Sequence, residues 1–130
     1  MSKLSETISK LKDYVGEDQE EKLLSEKFNQ LDSIFININK EFSTTGKKSS
    51  LVGWSHEGKF VRIEDRKLEF SFDKKRNVIE VNKVVNSLTT KLLDEIGLKD
   101  EELYCTKREE KFTEDIFSEY LNEVFGELIN

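Results

Sequence analysis

The chain has one histidine and one cysteine, and those two side chains bound most of the chemistry it could perform. His56 lies in Gly53-Trp54-Ser55-His56-Glu57-Gly58, the most unusual local composition in the sequence. A Gly-x-Ser-x-Gly nucleophile elbow would need glycine where Glu57 stands. A His-Glu-x-x-His zinc helix would need a second histidine where Phe60 stands. A tetrahedral nitrogen–sulfur zinc site would have to take its remaining ligands from carboxylates. No metal site and no cofactor is therefore expected. A pair of Cys105 and His56 is the one thiol arrangement the composition allows, since a neighbouring base activates a thiol. Against it, Cys105 follows Leu103 and Tyr104 in a strand-like stretch, where a free cysteine packs as a small hydrophobe.

Carboxylates are plentiful, but Glu101, Glu102, Glu109, Glu110, Glu114 and Asp115 come as adjacent pairs in turns and at a helix start. Acid–base catalysis needs two such groups in one cleft with unequal environments, whereas adjacent pairs suit a solvated face. Gly46-Lys47-Lys48-Ser49 lacks the upstream glycine of a phosphate loop. The expectation is a protein that is not an enzyme.

Charge is segregated. The net charge is −6, made of −3 over residues 1–46, +5 over 47–91 and −8 over 92–130. One reading is that lysines guard sheet edges and that oppositely charged thirds attract one another. The sharper one groups Trp54, His56, Lys59, Arg62, Arg66, Lys74, Lys75 and Arg76 as an aromatic-plus-basic surface. Such a surface holds a nucleotide by stacking and charge, or an acidic protein patch. Trp54 itself is either a core lid or an exposed contact anchor of the kind enriched at interfaces. The acidic overall balance argues against non-specific nucleic-acid binding.

The elements that would position these residues follow from periodicity. Leu24, Phe28, Leu31, Phe35, Ile38 and Phe42 recur at steps of four and three, which predicts one long amphipathic helix needing a partner surface. Upstream, Leu4, Ile8, Leu11 and Val15 form a shorter stripe that ends at Gly16, a residue suited to a left-handed cap. Asp18 and Glu21 then have the spacing of a capping box, so residues 1–42 read as a helical hairpin whose first helix, 1–16, packs loosely. Ser43–Ser50 is a polar loop, after which the period changes to two. Leu51–Ser55, Lys59–Glu64, Lys67–Asp73 and Val78–Val85 read as an antiparallel meander. Residues 86–106 fit either a short helix capped at Gly97 or another hairpin, and Leu103-Tyr104-Cys105-Thr106 favours the hairpin because it wants a strand partner. Thr113 caps a last helix in which Ile116, Phe117, Tyr120, Leu121, Val124, Phe125 and Leu128 share a face, with Phe112 and Phe117 spaced as a hydrophobic staple.

This order, with the tail Lys111-Phe112-Thr113-Glu114-Asp115-Ile116-Phe117-Ser118-Glu119-Tyr120-Leu121-Asn122, resembles small uncharacterised proteins of low-GC Gram-positive bacteria and their phages, a domain-of-unknown-function class. The resemblance implies a small interaction or counter-defence factor and brings no catalytic residue set.

Together these readings predict one α+β domain over residues 1–130: an N-terminal helical hairpin, a meander of about four or five strands, and a C-terminal helix on the sheet. The core is expected at Phe28, Leu31, Phe35, Ile38, Phe70, Phe117, Leu121 and Val124. Met1–Glu6 has no basic-then-apolar signal design and a lone cysteine makes no internal disulfide, so the expected compartment is the cytoplasm. The expected function is binding that inhibits or regulates a macromolecular partner, of a phage or mobile-element counter-defence or immunity type. The alternative is an anionic small molecule, nucleotide or nucleic acid held by the basic central sheet. Self-association through the first helix or a sheet edge would give a homodimer.

Overall fold

The apolar stripes and the alternating stretches fold as separate layers, three helices on one face of a sheet. A computed structural model describes residues 2–45 and 49–129, the side chains of residues 16–18 excepted. Helices α1 (Lys3–Gln30) and α2 (Asp32–Phe42) come first. Strands β1 (Ser50–Trp54), β2 (Gly58–Ile63), β3 (Arg66–Asp73), β4 (Val78–Val85), β5 (Thr89–Lys99), β6 (Glu102–Cys105) and β7 (Glu110–Lys111) follow, and α3 (Glu114–Ile129) closes the chain. The strands form one antiparallel sheet in sequence order. The fold class is α+β, with seven strands rather than the four or five expected.

Strand alternation sorts the side chains. Val52, Val61, Leu68, Phe70, Ile79, Val81, Ile96 and Cys105 are buried towards the helices. The other face carries charged neighbours such as Lys67 and Glu69, paired at 2.7 Å, and Arg76 and Glu95, paired at 2.6 Å. Phe35 is the centre of the helical layer. Its ring meets Phe70 edge-on at 5.6 Å and Phe117 at 5.5 Å. Tyr120 adds another edge contact to Phe70 at 5.9 Å. Of the anchors expected from sequence, Phe28, Leu31, Phe35, Phe70, Phe117 and Val124 are buried, while Ile38 and Leu121 are only partly covered. Leu128, expected on the same face of the last helix, is exposed.

The helical hairpin is replaced by one continuous 28-residue helix. A glycine inside a helix costs only about 1 kcal/mol relative to alanine, and no proline interrupts the chain here. The helix runs unbroken through the positions expected for the Gly16 cap and the Asp18 capping box, whose side chains lie outside the described residues. The actual break falls at Leu31, inside the stripe read as one long helix. There Leu31 N–H donates to Phe28 O at 3.1 Å, a tight turn, and Asp32 opens α2 with its carboxylate on Lys59. An acid in the first turn also suits the positive end of the α2 dipole.

Residues 86–106 settle as strands β5 and β6. Asn86 and Ser87 turn with φ of 57° and 60°, and Asp100 and Glu101 with φ of 53° and 64°. Paired left-handed residues match the twist of a tight hairpin. Gly97 is a strand residue opposite Tyr104. The centre of the polar loop, 46–48, lies outside the described residues. The cap of α3 forms as expected, with Ile116 N–H donating to Thr113 Oγ1 at 3.3 Å. The Phe112 ring stacks over Tyr120 at 6.5 Å, one turn beyond the Phe117 with which its spacing pairs it. Among the described residues no helix is long and apolar enough to cross a membrane.

Candidate functional site

The aromatic-plus-basic set does not assemble. Lys59 is fully buried, a correction to its place on a ligand surface. It points to the helix side of β2, opposite Phe70 in register, where its Nζ donates to Asp32 and, at 2.8 Å, to Ser55 O. The ammonium also lies 4.1 Å from the Phe28 ring centroid. A buried lysine must be paired in this way, and its work is to tie α1 and α2 to β2. Arg66 is on the same face but at the other end of the sheet, donating to Val124 O at 3.2 Å and to Glu127 at 2.8 Å. Arg62 stands on the opposite face, paired in register with Lys67 and Leu51. Lys74, Lys75 and Arg76 occupy the β3–β4 turn, where Asp73 Oδ1 accepts from the N–H groups of Lys75 and Arg76. Arg76 is further spent on Glu95. These cations do not converge on one anionic pocket.

His56 and Cys105 belong to different parts of the sheet. His56 is exposed in the β1–β2 turn, its Nδ1 3.1 Å from Asn29 Oδ1. Cys105 is on β6, four strand positions from β2, which is roughly 20 Å across the sheet at about 4.8 Å per strand. The thiol is fully buried, with its sulfur 3.4 Å from Tyr120 Oη. Burial pushes its pKa up to about 11. A thiol in that state is a poor nucleophile. Cys105 is accordingly expected to resist a disulfide reagent such as DTNB at pH 8 in the folded protein. It should react at once when the chain is unfolded in guanidinium; rapid labelling of the native protein would contradict this burial.

The polar cluster that sequence inspection missed surrounds that thiol. Asp94 is fully buried on β5, just after the register shift against Val81 and Asn82. Its Oδ1 accepts from the N–H groups of Glu95 at 2.8 Å and Lys107 at 3.1 Å, and its Oδ2 from Tyr120 Oη–H at 2.6 Å. Arg108 Nε is 3.6 Å from Asp94 Oδ2, and its guanidinium lies 5.0 Å from the Tyr120 ring centroid while reaching Glu119 and Glu123. Burial and the donation to Asp94 push the Tyr120 phenol far above its usual range. Each of these groups is used to pin the β6–β7 turn and α3 to the sheet. The sequence signal was an acid on the inward-facing register of Leu92-Leu93-Asp94-Glu95-Ile96. No group of His, Cys, Asp and Glu that could hold a metal is found among the described residues.

Among the described residues, two surfaces stand without a cover. One is β1, the edge of the sheet, in which Leu51 is 49% and Trp54 37% exposed. Trp54 is thus a surface residue at the margin of the core. Strands at sheet edges are usually blunted by lysine, proline, a bulge or shortness, and Ser50-Leu51-Val52-Gly53-Trp54 contains no charged residue and no proline. Its partner β2 places Arg62 beside Leu51. The other is the first half of α1, where Leu4, Ile8, Leu11, Tyr14 and Val15 are all exposed.

No curated protein and no solved structure matches the chain. A family model described as "Protein of unknown function (DUF3942)" matches residues 4–129, from the exposed first turns of α1 to the end of α3, and the chain belongs to that family.

Proposed function

We propose that this chain is a non-enzymatic cytoplasmic binding protein that regulates or inhibits another protein, and that an extended segment of that partner adds to the open edge of β1. The observation that carries this reading is an uncharged five-residue edge strand flanked by exposed Leu51 and Trp54. Strand addition draws affinity from main-chain hydrogen bonds and selectivity from alternating side chains. Leu51 and Trp54 would grip apolar side chains on the two faces of the added strand. Arg62 beside Leu51 and His56 in the following turn favour an acidic residue in the partner. The engagement of Asp94, Cys105, Tyr120 and Lys59 in holding elements together supports a binding role rather than a catalytic one. The resemblance to small phage and Gram-positive proteins suggests that the target belongs to a defence or immunity system.

The test is affinity capture from source-cell lysate with the wild-type chain and a Leu51→Lys, Trp54→Lys variant side by side. Leu51 is about half exposed and Trp54 about a third, so the variant's denaturation midpoint is measured beside the parent's to establish that it folds. The expected result is a protein retained by the wild type and lost by the variant. Equal recovery of every bound protein by a folded variant would reject the β1 edge as the binding surface.

A further inference from the structure

The apolar face of α1 changes sides along its length. At 3.6 residues per turn, Leu4, Ile8, Leu11 and Val15 point one way, and Leu24 and Phe28, buried in the core, point about 150° away from it. The first stripe therefore cannot reach the domain that the second stripe joins. Residues 3–20 run for roughly five turns, about 27 Å, with Ser2 capping the far end through its side chain and the N–H of Ser5 at 3.2 Å. Free helices of this length are marginal in water unless the amphipathic face is packed.

We propose that this stripe is covered by the same stripe of a second copy, making an antiparallel two-stranded homodimer. The spacing of four, three and four places Leu4 and Leu11 at one seam position of a heptad and Ile8 and Val15 at the other. Antiparallel pairing sets Leu4 against Val15 and Ile8 against Leu11 of the second copy, so each of the four layers joins a leucine to a β-branched side chain. A two-fold axis then makes the contact self-complementary. The flanking positions Ser5 and Lys12 meet each other, as do Thr7 and Tyr14, so no like charges oppose. A parallel pair would continue the seam to Lys22 against its own copy, a like-charge contact that the antiparallel pair leaves in solvent. Because Leu24 and Phe28 face away from the seam, the two domains lie on opposite sides of the paired helices and at opposite ends. Residues 3–20 carry three lysines against five carboxylates, unlike the basic face with which a helix binds an anionic lipid surface.

The full chain is to be weighed by light scattering or sedimentation at concentrations up to about 1 mM, where even a millimolar dissociation constant leaves a visible dimer. The expected result is a monomer–dimer equilibrium that an Ile8→Lys, Leu11→Lys variant abolishes while its Trp54 fluorescence and denaturation midpoint stay those of the parent. Orientation is read from cysteine pairs, since the native Cys105 is buried. A Leu4→Cys chain mixed with a Val15→Cys chain should form a disulfide-linked dimer. Leu4→Cys alone should form none, because the two copies of residue 4 lie about 16 Å apart along the axis. A chain that stays monomeric, a lysine variant that dimerises like the parent, a trimer or larger assembly, or a ready Leu4→Cys disulfide would each overturn the proposal. So would a monomeric chain that co-sediments with anionic vesicles through this stripe.

Discussion

Replacing Asp94 with alanine is expected to cost about 3–5 kcal/mol, because it removes the common partner of one buried and several part-buried groups rather than one contact. The N–H groups of Glu95 and Lys107 lose their acceptor, Tyr120 keeps only the Cys105 sulfur, and Arg108 loses the buried anion beside it. The buried Tyr120 hydroxyl bears the larger desolvation penalty, whereas the part-buried N–H groups of Glu95 and Lys107 lose less. Asp94→Asn retains an acceptor for the two backbone groups but turns a donor or a weaker acceptor towards Tyr120, so its loss should be smaller, about 1–3 kcal/mol. Tyr120→Phe removes the matching donor, and the double variant should lose less than the sum of the two, since both delete the same bond. Urea titrations with an unchanged slope and a lowered midpoint would report this. A midpoint that does not move in Asp94→Ala would mean that the cluster contributes nothing to holding β6, β7 and α3 together.

The second large effect belongs to Phe35→Ala, expected at about 3–5 kcal/mol. The ring is fully buried and braced edge-on by Phe70 below and Phe117 beside it. The helical layer and the sheet meet there, and the bracing rings belong to β3 and α3, which cannot collapse together into the space. The cavity therefore stays largely open, and the lost contacts add to the transfer cost. Leu121 makes a useful comparison. It lines the groove between α2 and α3 with Ile34 and Ile38 and is only partly buried, so its truncation should cost less than that of Phe35. Equal losses at the two positions would show that the core is not centred where the aromatic contacts place it.

Much of this architecture was legible because each layer carries its own period. Leu68, Phe70 and Phe72 alternate with polar residues and could only be a half-buried strand. Ile116, Phe117, Tyr120 and Val124 follow Thr113 at helical spacing and are the buried face of α3. The tie between Lys59 and Asp32 was not legible. Lysine at an alternating position reads as surface, and only the approach of α2 to β2 supplies the anion, the carbonyl and the Phe28 ring that make burial tolerable. The Asp94 cluster was hidden for the same reason, since its members come from β5, β6, the turn after it and α3.

By itself the amino-acid order determined the last helix, the helical character of residues 24–42, the central meander and the sign of charge on each third, since these depend on neighbours a few residues apart, while it left 86–106 open between helix and hairpin. Tertiary structure alone decided that the helical stripe breaks at Leu31 and that the first apolar stripe faces away from the domain. The physical reason is that Leu24 and Phe28 fix the rotation of α1 by packing on the sheet, while Asp32 and Phe35 must turn to meet Lys59 and Phe70. Where that sheet lies determines where the helix bends and which of its faces goes uncovered.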